Sequence, residues 1–500
     1  MQIYKIKGDR ILLIHGSQES VEVGQNLKIW DEEKKRGVLV QIIETQLTDI
    51  PGMLEDLIRN ESIPSDKITT NMPDDLGQYI NDVRDTKIII TKIRKEISND
   101  DVISWTGWIP DRRSSVEPIN DEWLMTKLDI GKNYPIHVGN TISDQTPLNL
   151  SAYDIQEGGT CVIIGKKGTG KSHAAKIILK GLLNHGAKCI VFDINAEYSQ
   201  LDKSSTDSKI NNLNPGYNLQ FLLEYIGLDV ISDVLRKSLK SSQPSLYELS
   251  RAWKGLKRNN TPITLDTILS SLDSMDVRGG VNKAILHALE RRFEGLKKTN
   301  LITDEADRAT TLENELRKIP NGGALVFNLR GRSSETVNIV VSTILTKLSN
   351  LLEHDINHDP VFLFAEEAHM YIGETDWDNI ITRMRHLGTF QFYITNTPST
   401  LPETLIRQTD NLFLFNLQND EDFAYMTKAI RLDRETTTAI GKTLPPGTCL
   451  VIGNATREFP FVIKTVKLDD AAGETRRFFY KDDSQKPKSN TKPKHGEFSL

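Results

Sequence analysis

Thr160-Cys161-Val162-Ile163-Ile164-Gly165-Lys166-Lys167-Gly168-Thr169-Gly170-Lys171-Ser172 decides how this chain folds. An apolar run of the kind buried on both faces of a sheet enters G-x-x-x-x-G-K-S. Ala174 to Leu183 then has helical spacing and ends at Gly186, and Cys189-Ile190-Val191-Phe192 is a second strand. A strand–loop–helix–strand order implies a parallel α/β sheet. The glycines let successive backbone N–H groups turn toward one phosphate, and the following helix adds its positive N-terminal end. Lys171 is placed to reach the β- and γ-phosphates and Ser172 to ligate Mg²⁺. Gly165, Gly168, Thr169, Gly170, Lys171, Ser172 and His173 form the candidate ATP-binding set.

A phosphate loop needs an acid for the metal and a carboxylate to activate water, at the end of a neighbouring strand. Val361-Phe362-Leu363-Phe364-Ala365-Glu366-Glu367 offers both. Adjacent residues at a strand end face opposite ways. Glu366 is therefore expected near Mg²⁺ and Glu367 near the attacking water. Without the phosphate loop, the same two acids would read as a solvated helix start.

The chain has 500 residues, a prior of about three domains. Its 38% apolar and 26% charged residues are a normal soluble balance. No run of eighteen apolar residues occurs, which excludes a membrane-spanning helix, and polar residues close behind Met1 predict no secretory leader. Cys161, Cys189 and Cys449 are too scattered for a disulfide framework or zinc cluster, which fits a reducing cytoplasm. A net charge of −6 excludes a wholly basic DNA-coating surface but not a local basic channel.

Residues 1–47 read as short strands separated by turns, Ile11-Leu12-Leu13-Ile14 and Val38-Leu39-Val40-Gln41-Ile42-Ile43 among them, which suggests a small barrel or sandwich. A polar, helix-like stretch follows at about 51–84, and Lys87 to Ile93 is expected to complete the barrel. Residues 216–318 are mainly helical. Leu219, Leu222, Leu223 and Ile226 form one apolar stripe, and Ile285, Leu289, Phe293 and Leu296 a second. Strands are expected to return at Ala324–Phe327, Val361–Phe364, Phe390–Ile394, Leu412–Phe415, Thr448–Ile452 and Phe461–Ile463. The tail after about 474 has the composition of a disordered end, and its Lys486, Lys488, Lys492 and Lys494 fit a solubilising role better than a contact.

Together these residues resemble the HerA family of hexameric DNA translocases, relatives of FtsK among the RecA-like ATPases. Glu366-Glu367-Ala368-His369 is similar to that family's Walker B ending. Phe192-Asp193-Ile194-Asn195-Ala196-Glu197-Tyr198 resembles its F-D-x-x-x-E-Y segment, and Leu213-Asn214-Pro215 its L-N-P landmark. Arg385-His386-Leu387-Gly388 resembles its R-x-x-G element, and Gln408 and Asn411 a Q-x-x-N turn. Thr395-Asn396-Thr397-Pro398 stands where the family more often has S-Q-R-P, so Asn396 is a shorter γ-phosphate sensor and the arginine is absent. The all-β start resembles the HAS barrel.

The resemblance implies a RecA-like P-loop ATPase core at 135–215 and 319–465. It also implies a HAS-like barrel with a connecting segment at 1–134, a helical insertion at 216–318 and an extension at 466–500. It implies a homo-hexamer that uses ATP and Mg²⁺ to move double-stranded DNA through a central pore. It further implies a partner effector, a nuclease or an NAD-consuming enzyme, with phage defence or DNA processing as the setting. The alternative is a ring scaffold that assembles and activates that effector. A P-loop metabolic kinase is disfavoured, because it needs neither the barrel nor a separate Glu-Glu strand end.

Arg385 and Arg383 are candidates for an arginine reaching a neighbouring subunit's nucleotide, with Arg330 and Arg332 in reserve. Lys171, Glu366, Glu367, Arg385 and Asn396 form the candidate catalytic set, and Ser172 and Glu366 the candidate metal ligands. Asp193 and Glu197 could hold the metal's water shell or start a helix, and His369 reads as a supporting residue. Lys203 and Lys209 are candidate pore residues that equally fit a solvated loop. Trp105 and Trp108, three apart, fit packing better than base stacking.

Overall fold

The computed structural model describes residues 1–15, 21–47, 87–199, 201, 209–277, 283–354, 359–374, 385–426 and 434–468. The helix-like stretch at 51–84, Lys203, Arg383 and the tail lysines lie outside them.

Seven short strands open the chain: β1 (Gln2–Lys7), β2 (Arg10–His15), β3 (Asn26–Asp31), β4 (Arg36–Leu47), β5 (Lys87–Ser98), β6 (Asp101–Ile103) and β7 (Ser115–Pro118). They form one antiparallel sheet in the order β1-β2-β5-β4-β3-β7, with β6 on β5. Period-two alternation puts Ile11, Leu13, Leu27, Ile29, Val38, Val40, Ile42, Ile89 and Ile93 in one small core. The register slips in β4 at Leu39/Val40 and Ile42/Glu44 bend this long strand, and β1 and β7 approach each other, so the sheet curls into a half-barrel. β5 is central, hydrogen-bonded to both β2 and β4.

Helix α1 (Asp121–Lys127) leads into eleven further strands: β8 (Pro135–Thr141), β9 (Pro147–Ser151), β10 (Thr160–Ile164), β11 (Lys188–Asp193), β12 (Ile210–Leu213), β13 (Ala324–Asn328), β14 (Val361–Glu366), β15 (Thr389–Thr395), β16 (Asn411–Phe415), β17 (Thr448–Gly453) and β18 (Phe461–Thr465). Their order is β12-β13-β11-β14-β15-β10-β16-β17-β18-β8-β9. The first seven of these run parallel, and the last four add antiparallel strands beyond β16. All five β10 residues are buried, as expected of a strand covered on both faces. This is the α/β architecture expected from the sequence.

Between the strands run α2 (Ala152–Gly158), α3 (Lys171–Asn184), α4 (Leu223–Ile226), α5 (Leu228–Lys237), α6 (Gln243–Arg258), α7 (Leu265–Val277), α8 (Lys283–Lys297), α9 (Leu312–Lys318), α10 (Ser334–His354), α11 (Glu403–Arg407), α12 (Asp420–Met426) and α13 (Arg434–Thr443). Alternation along β10 and β11 separates two cores. Cys161, Ile163, Cys189 and Val191 pack with α3 on one face. Val162, Ile164, Ile190 and Phe192 pack with α10 on the other, continuous with the helices inserted between β12 and β13. The cysteines are reduced and buried, and burial pushes their thiols up.

The second apolar stripe is real: Leu289, Phe293 and Leu296 are buried along α8. The first is not a continuous helical stripe. Phe221 N–H donates to Leu301 O at 2.8 Å and Thr303 N–H to Phe221 O at 2.9 Å, so this segment pairs as an extended bridge. Helix begins only at Leu223 and stops at Gly227, whose φ is 91°.

The half-barrel is docked on the ATPase sheet. Leu39 and Ile97 turn away from the barrel core into the α3 side of the large sheet. Gln41, fully buried, donates from Nε2 to Pro460 O at 2.9 Å and to Gly24 O at 3.2 Å. Arg94 donates to Gln41 Oε1 at 3.1 Å and to Thr436 Oγ1 of α13 at 2.8 Å. Trp105 and Trp108 pack against the barrel core, with Trp105 Nε1 donating to Trp108 O at 2.6 Å and the Arg36 guanidinium 5.0 Å from the Trp108 ring. No helix among the described residues is long and apolar enough to cross a membrane.

Candidate active site

The phosphate loop is the turn from β10 into α3. Lys166 N–H donates to Asn416 O at 2.7 Å, Thr169 Oγ1 donates to Lys166 O at 2.7 Å, and Gly447 N–H donates to Thr169 O at 2.9 Å. A Cβ on Gly165 would stand 2.5 Å from Phe415 Cβ and 3.0 Å from Thr169 Oγ1, so the first loop position has no room for a side chain. Gly168 and Gly170 have φ of 81° and 117°, which L-residues rarely adopt. Gly170 starts α3, so the helix's unsatisfied N–H groups open onto the loop.

Lys171 is 6% exposed, and its Nζ donates to Lys166 O at 3.2 Å. Burial holds its pKa down, against the opposing pull of Glu367, Glu366 and Glu197. Ser172 Oγ donates to Glu366 Oε1 at 2.9 Å. His173 Nε2 lies 2.6 Å from Val466 O, so its ring ties α3 to the segment after β18.

The two acids are not on a strand adjacent to the phosphate loop. β15 lies between β10 and β14, with Ile163 and Glu366 both paired to Ile394. This places Thr395 and Asn396 at the strand end between the loop and the acids.

Glu366 is fully buried, and its main-chain oxygen accepts from Tyr371 OH at 3.1 Å. Burial first, then the charges of Asp193 and Glu197, push its carboxyl well above the usual glutamate range. Asp193, at the end of β11, accepts from the N–H groups of Glu197 at 3.0 Å and Tyr198 at 2.9 Å. Burial raises its pKa too, against the pull of those two bonds. Lys176 of α3 pairs with Glu197 at 3.0 Å, 5.8 Å from the Tyr198 ring. Asp193 and Glu197 thus belong to one buried acidic group with Glu366, faced by Lys171 and Lys176.

Glu367 has φ 45° and ψ 46°, left-handed for a residue with a side chain. Such conformations cost about 1–3 kcal/mol and concentrate at functional sites. The turn swings Glu367 away from Glu366 and brings its Oε2 to 3.4 Å from His369 Nδ1. That nitrogen is 3.1 Å from Thr395 Oγ1, and burial lowers the imidazole's pKa against the pull of Glu367. His369 therefore links the second acid to the end of β15. Asn396 Oδ1 accepts from Thr397 Oγ1 at 2.7 Å, and Thr397 N–H donates to Thr395 Oγ1 at 3.1 Å.

Arg385 opens a short turn, Arg385–Leu387, immediately before β15. Arg330 and Arg332 are exposed in the loop from β13 to α10, and Lys209 is exposed just before β12. Among the described residues, neither Arg330 nor Arg332 pairs with the acidic group, whose ion pair is with Lys176. Asn416 and Gly447, which hold the phosphate loop, carry no motif and were not singled out in the sequence. Only the fold brings them there.

The fit to a divalent ion is testable on the residues themselves. Glu366 Oε2 is buried with no N–H or hydroxyl donor among the described residues, and its carboxyl lies within hydrogen-bond range of the Asp193 carboxyl. Ser172 Oγ stands at its sister oxygen. A hydroxyl and a buried carboxylate suit Mg²⁺, which takes few protein ligands beside phosphate and water. Among the described residues, no group of three or more His, Cys, Asp or Glu could hold a metal ion.

Residues 136–348 match the family model described as "Helicase HerA, central domain". The matched segment runs from β8 through α10 and includes the whole phosphate loop. These residues are thus similar to a HerA central domain. The chain is a P-loop ATPase, and its RecA-like core is completed by β14 to β18 beyond the matched segment. Among solved structures, VirB4 of Thermoanaerobacter pseudethanolicus is similar at TM-score 0.50 and 15% identity, over 67% of this chain and 97% of that one. The bacterial conjugative coupling protein TrwBdeltaN70 gives 0.49 and 16%, over 67% and 89%. Plasmid coupling protein TrwB in complex with ADP and Mg²⁺ gives 0.47 and 18%, over 62% and 85%. No curated protein matches. At this identity the VirB4 likeness speaks for the fold of the ATPase core alone.

Proposed function

We propose that this chain is an ATP- and Mg²⁺-dependent motor that works as a ring, a hexamer, and drives double-stranded DNA through its centre. The contact of Ser172 with the buried, half-partnered Glu366, beside Lys171, carries the ATP-hydrolysing part of this reading. The HerA helicase family match supports the nucleic-acid part.

In this reading the chain divides as expected from the sequence: barrel and connector at 1–134, core at 135–215 and 319–465, helical insertion at 216–318, and extension at 466–500. The N–H groups from Gly168 to Ser172 and the Lys171 ammonium hold the β- and γ-phosphates. Ser172 and Glu366 hold Mg²⁺, which when bound neutralises charge that builds on the phosphates. Glu367 orients and polarises the attacking water, and His369 fixes the carboxylate's direction. Asn396 senses the γ-phosphate from the end of β15. Arg385, or else Arg330 or Arg332, completes the neighbouring subunit's site, a contact of large effect in such rings.

The reading extends to a partner effector, a nuclease or an NAD-consuming enzyme, in phage defence or DNA processing. The barrel is the docking surface for it in this reading. A triplex-displacement assay tests the motor. The wild-type chain, in the presence of ATP, should strip a third strand from duplex DNA, and the Glu367→Gln chain should not. If Glu367→Gln still supports effector activity without DNA, the ring is a scaffold and the motor reading is lost.

A further inference from the structure

Helix α6 presents an unusual outer face. Ser245, Leu249, Ala252 and Trp253 are its buried side, packed on α5, α7 and α8. On the opposite side, Tyr247, Arg251, Lys254 and Arg258 follow one another at i, i+4, i+7 and i+11, a single straight stripe on a helix of 3.6 residues per turn. At 1.5 Å per residue the stripe is about 16 Å long. All four side chains are exposed, and Tyr247 at 68% is among the most exposed large apolar side chains of the described residues.

The charge is segregated as well. Residues 236–298 hold 13 Lys and Arg against six Asp and Glu, in a chain whose net charge is −6. Within α6 the single acid, Glu248, sits at the border of the stripe with its side chain 12% exposed, 3.6 Å from Arg251. An ordinary solvated helix face alternates charges of both signs. This one is cationic from end to end, with an aromatic ring at its start.

We propose that the outer face of α6 is a DNA-backbone-binding surface, in which Arg251, Lys254 and Arg258 contact consecutive phosphates and Tyr247 lies against a sugar or an unstacked base. Cations spaced along a straight line suit a polyanion, and an exposed aromatic among them suits the flat face of a base. The inference rests on the motor reading above and deepens it. It moves DNA contact from the loops after β11 to the helical insertion between β12 and β13.

The test measures binding of fluorescein-labelled duplex and single-stranded DNA to the full chain as a function of salt. The triple variant Arg251→Gln/Lys254→Gln/Arg258→Gln should bind about tenfold or more weakly, and its log K against log salt slope should shrink by about 2 to 3. Tyr247→Ala should weaken single-strand binding by about fivefold or more. All four positions lie outside the catalytic set, so basal ATP hydrolysis should be retained and reports correct folding. A control triple on the barrel, Lys5→Gln/Lys7→Gln/Lys35→Gln, should leave affinity unchanged. Wild-type affinity and slope in the α6 triple overturn this surface and leave the motor reading standing. So does an equal loss in both triples. Wild-type affinity in Tyr247→Ala overturns the aromatic contact. A wild-type chain that binds no DNA overturns both readings.

Discussion

Ser172 Oγ donates to Glu366 Oε1 at 2.9 Å across 194 positions of sequence. The bond crosses from the first turn of α3 to the end of β14, over the intervening β15. It brings together a hydroxyl and a buried carboxylate, the two side chains that would hold Mg²⁺ in the proposed reading. Ser172→Ala is expected to keep the fold and to lower ATP hydrolysis at limiting Mg²⁺ much more than at saturating Mg²⁺. A magnesium titration of the ATPase rate checks this.

Glu366 links stability to pH. Its pKa in the folded chain is raised, mainly by burial, above the ordinary glutamate value of about 4.3. As pH rises past that value, the unfolded chain ionises first and gains the advantage. The nucleotide-free protein should therefore lose stability as pH climbs from about 4.3 through the raised pKa. Glu366→Gln removes the contribution. Thermal melts should show the variant more stable than wild type at pH 8 and similar near pH 4, while its ATPase falls about 100-fold or more.

Glu367 pays in backbone strain for its direction. Glu367→Gly should abolish turnover yet leave the melting temperature unchanged or raised, because φ 45° suits glycine. Glu367→Gln should also block turnover, by about 100-fold or more, while nucleotide binding persists. Filter binding of labelled ATP beside a hydrolysis assay separates the two effects.

Much of this site was legible in the sequence because each motif is short and tied to a strand end. The phosphate loop needs its glycines, and an all-apolar strand ending in Glu366-Glu367 is rarely a surface feature. What could not be read was spatial. That β15 separates the loop from the acids is a matter of strand order, which no local pattern encodes. Asn416 and Gly447 touch the loop only through backbone atoms, so residue type says nothing about them. The apolar spacing at Leu219–Ile226 mimicked a helix, but pairing with Leu301 and Ile302 won, because extended backbone groups there found partners in a neighbouring segment.

The barrel seam hangs on one buried amide. Gln41 satisfies two main-chain oxygens and accepts from Arg94, which also reaches α13. Gln41→Leu leaves those buried groups without their donor, at a cost of about 1–3 kcal/mol. A lowered melting temperature, with easier proteolysis between barrel and core, is the expected result.

Gly165→Ala forces a Cβ to within 2.5 Å of Phe415 Cβ. The loop must shift, and ATP binding should fall about tenfold or more with little change in overall helix content. Isothermal titration and circular dichroism check the two halves.

The most direct measurement is the ATP hydrolysis rate of the full chain with and without duplex DNA, for wild type and Lys171→Met. Methionine fills the space of a buried lysine but carries no charge to the phosphates. The account predicts hydrolysis that duplex DNA accelerates in the wild type and that is absent in Lys171→Met, whose fold and melting temperature are retained. A wild type whose hydrolysis is absent or indifferent to DNA, or a Lys171→Met chain that hydrolyses ATP at the wild-type rate, would contradict it.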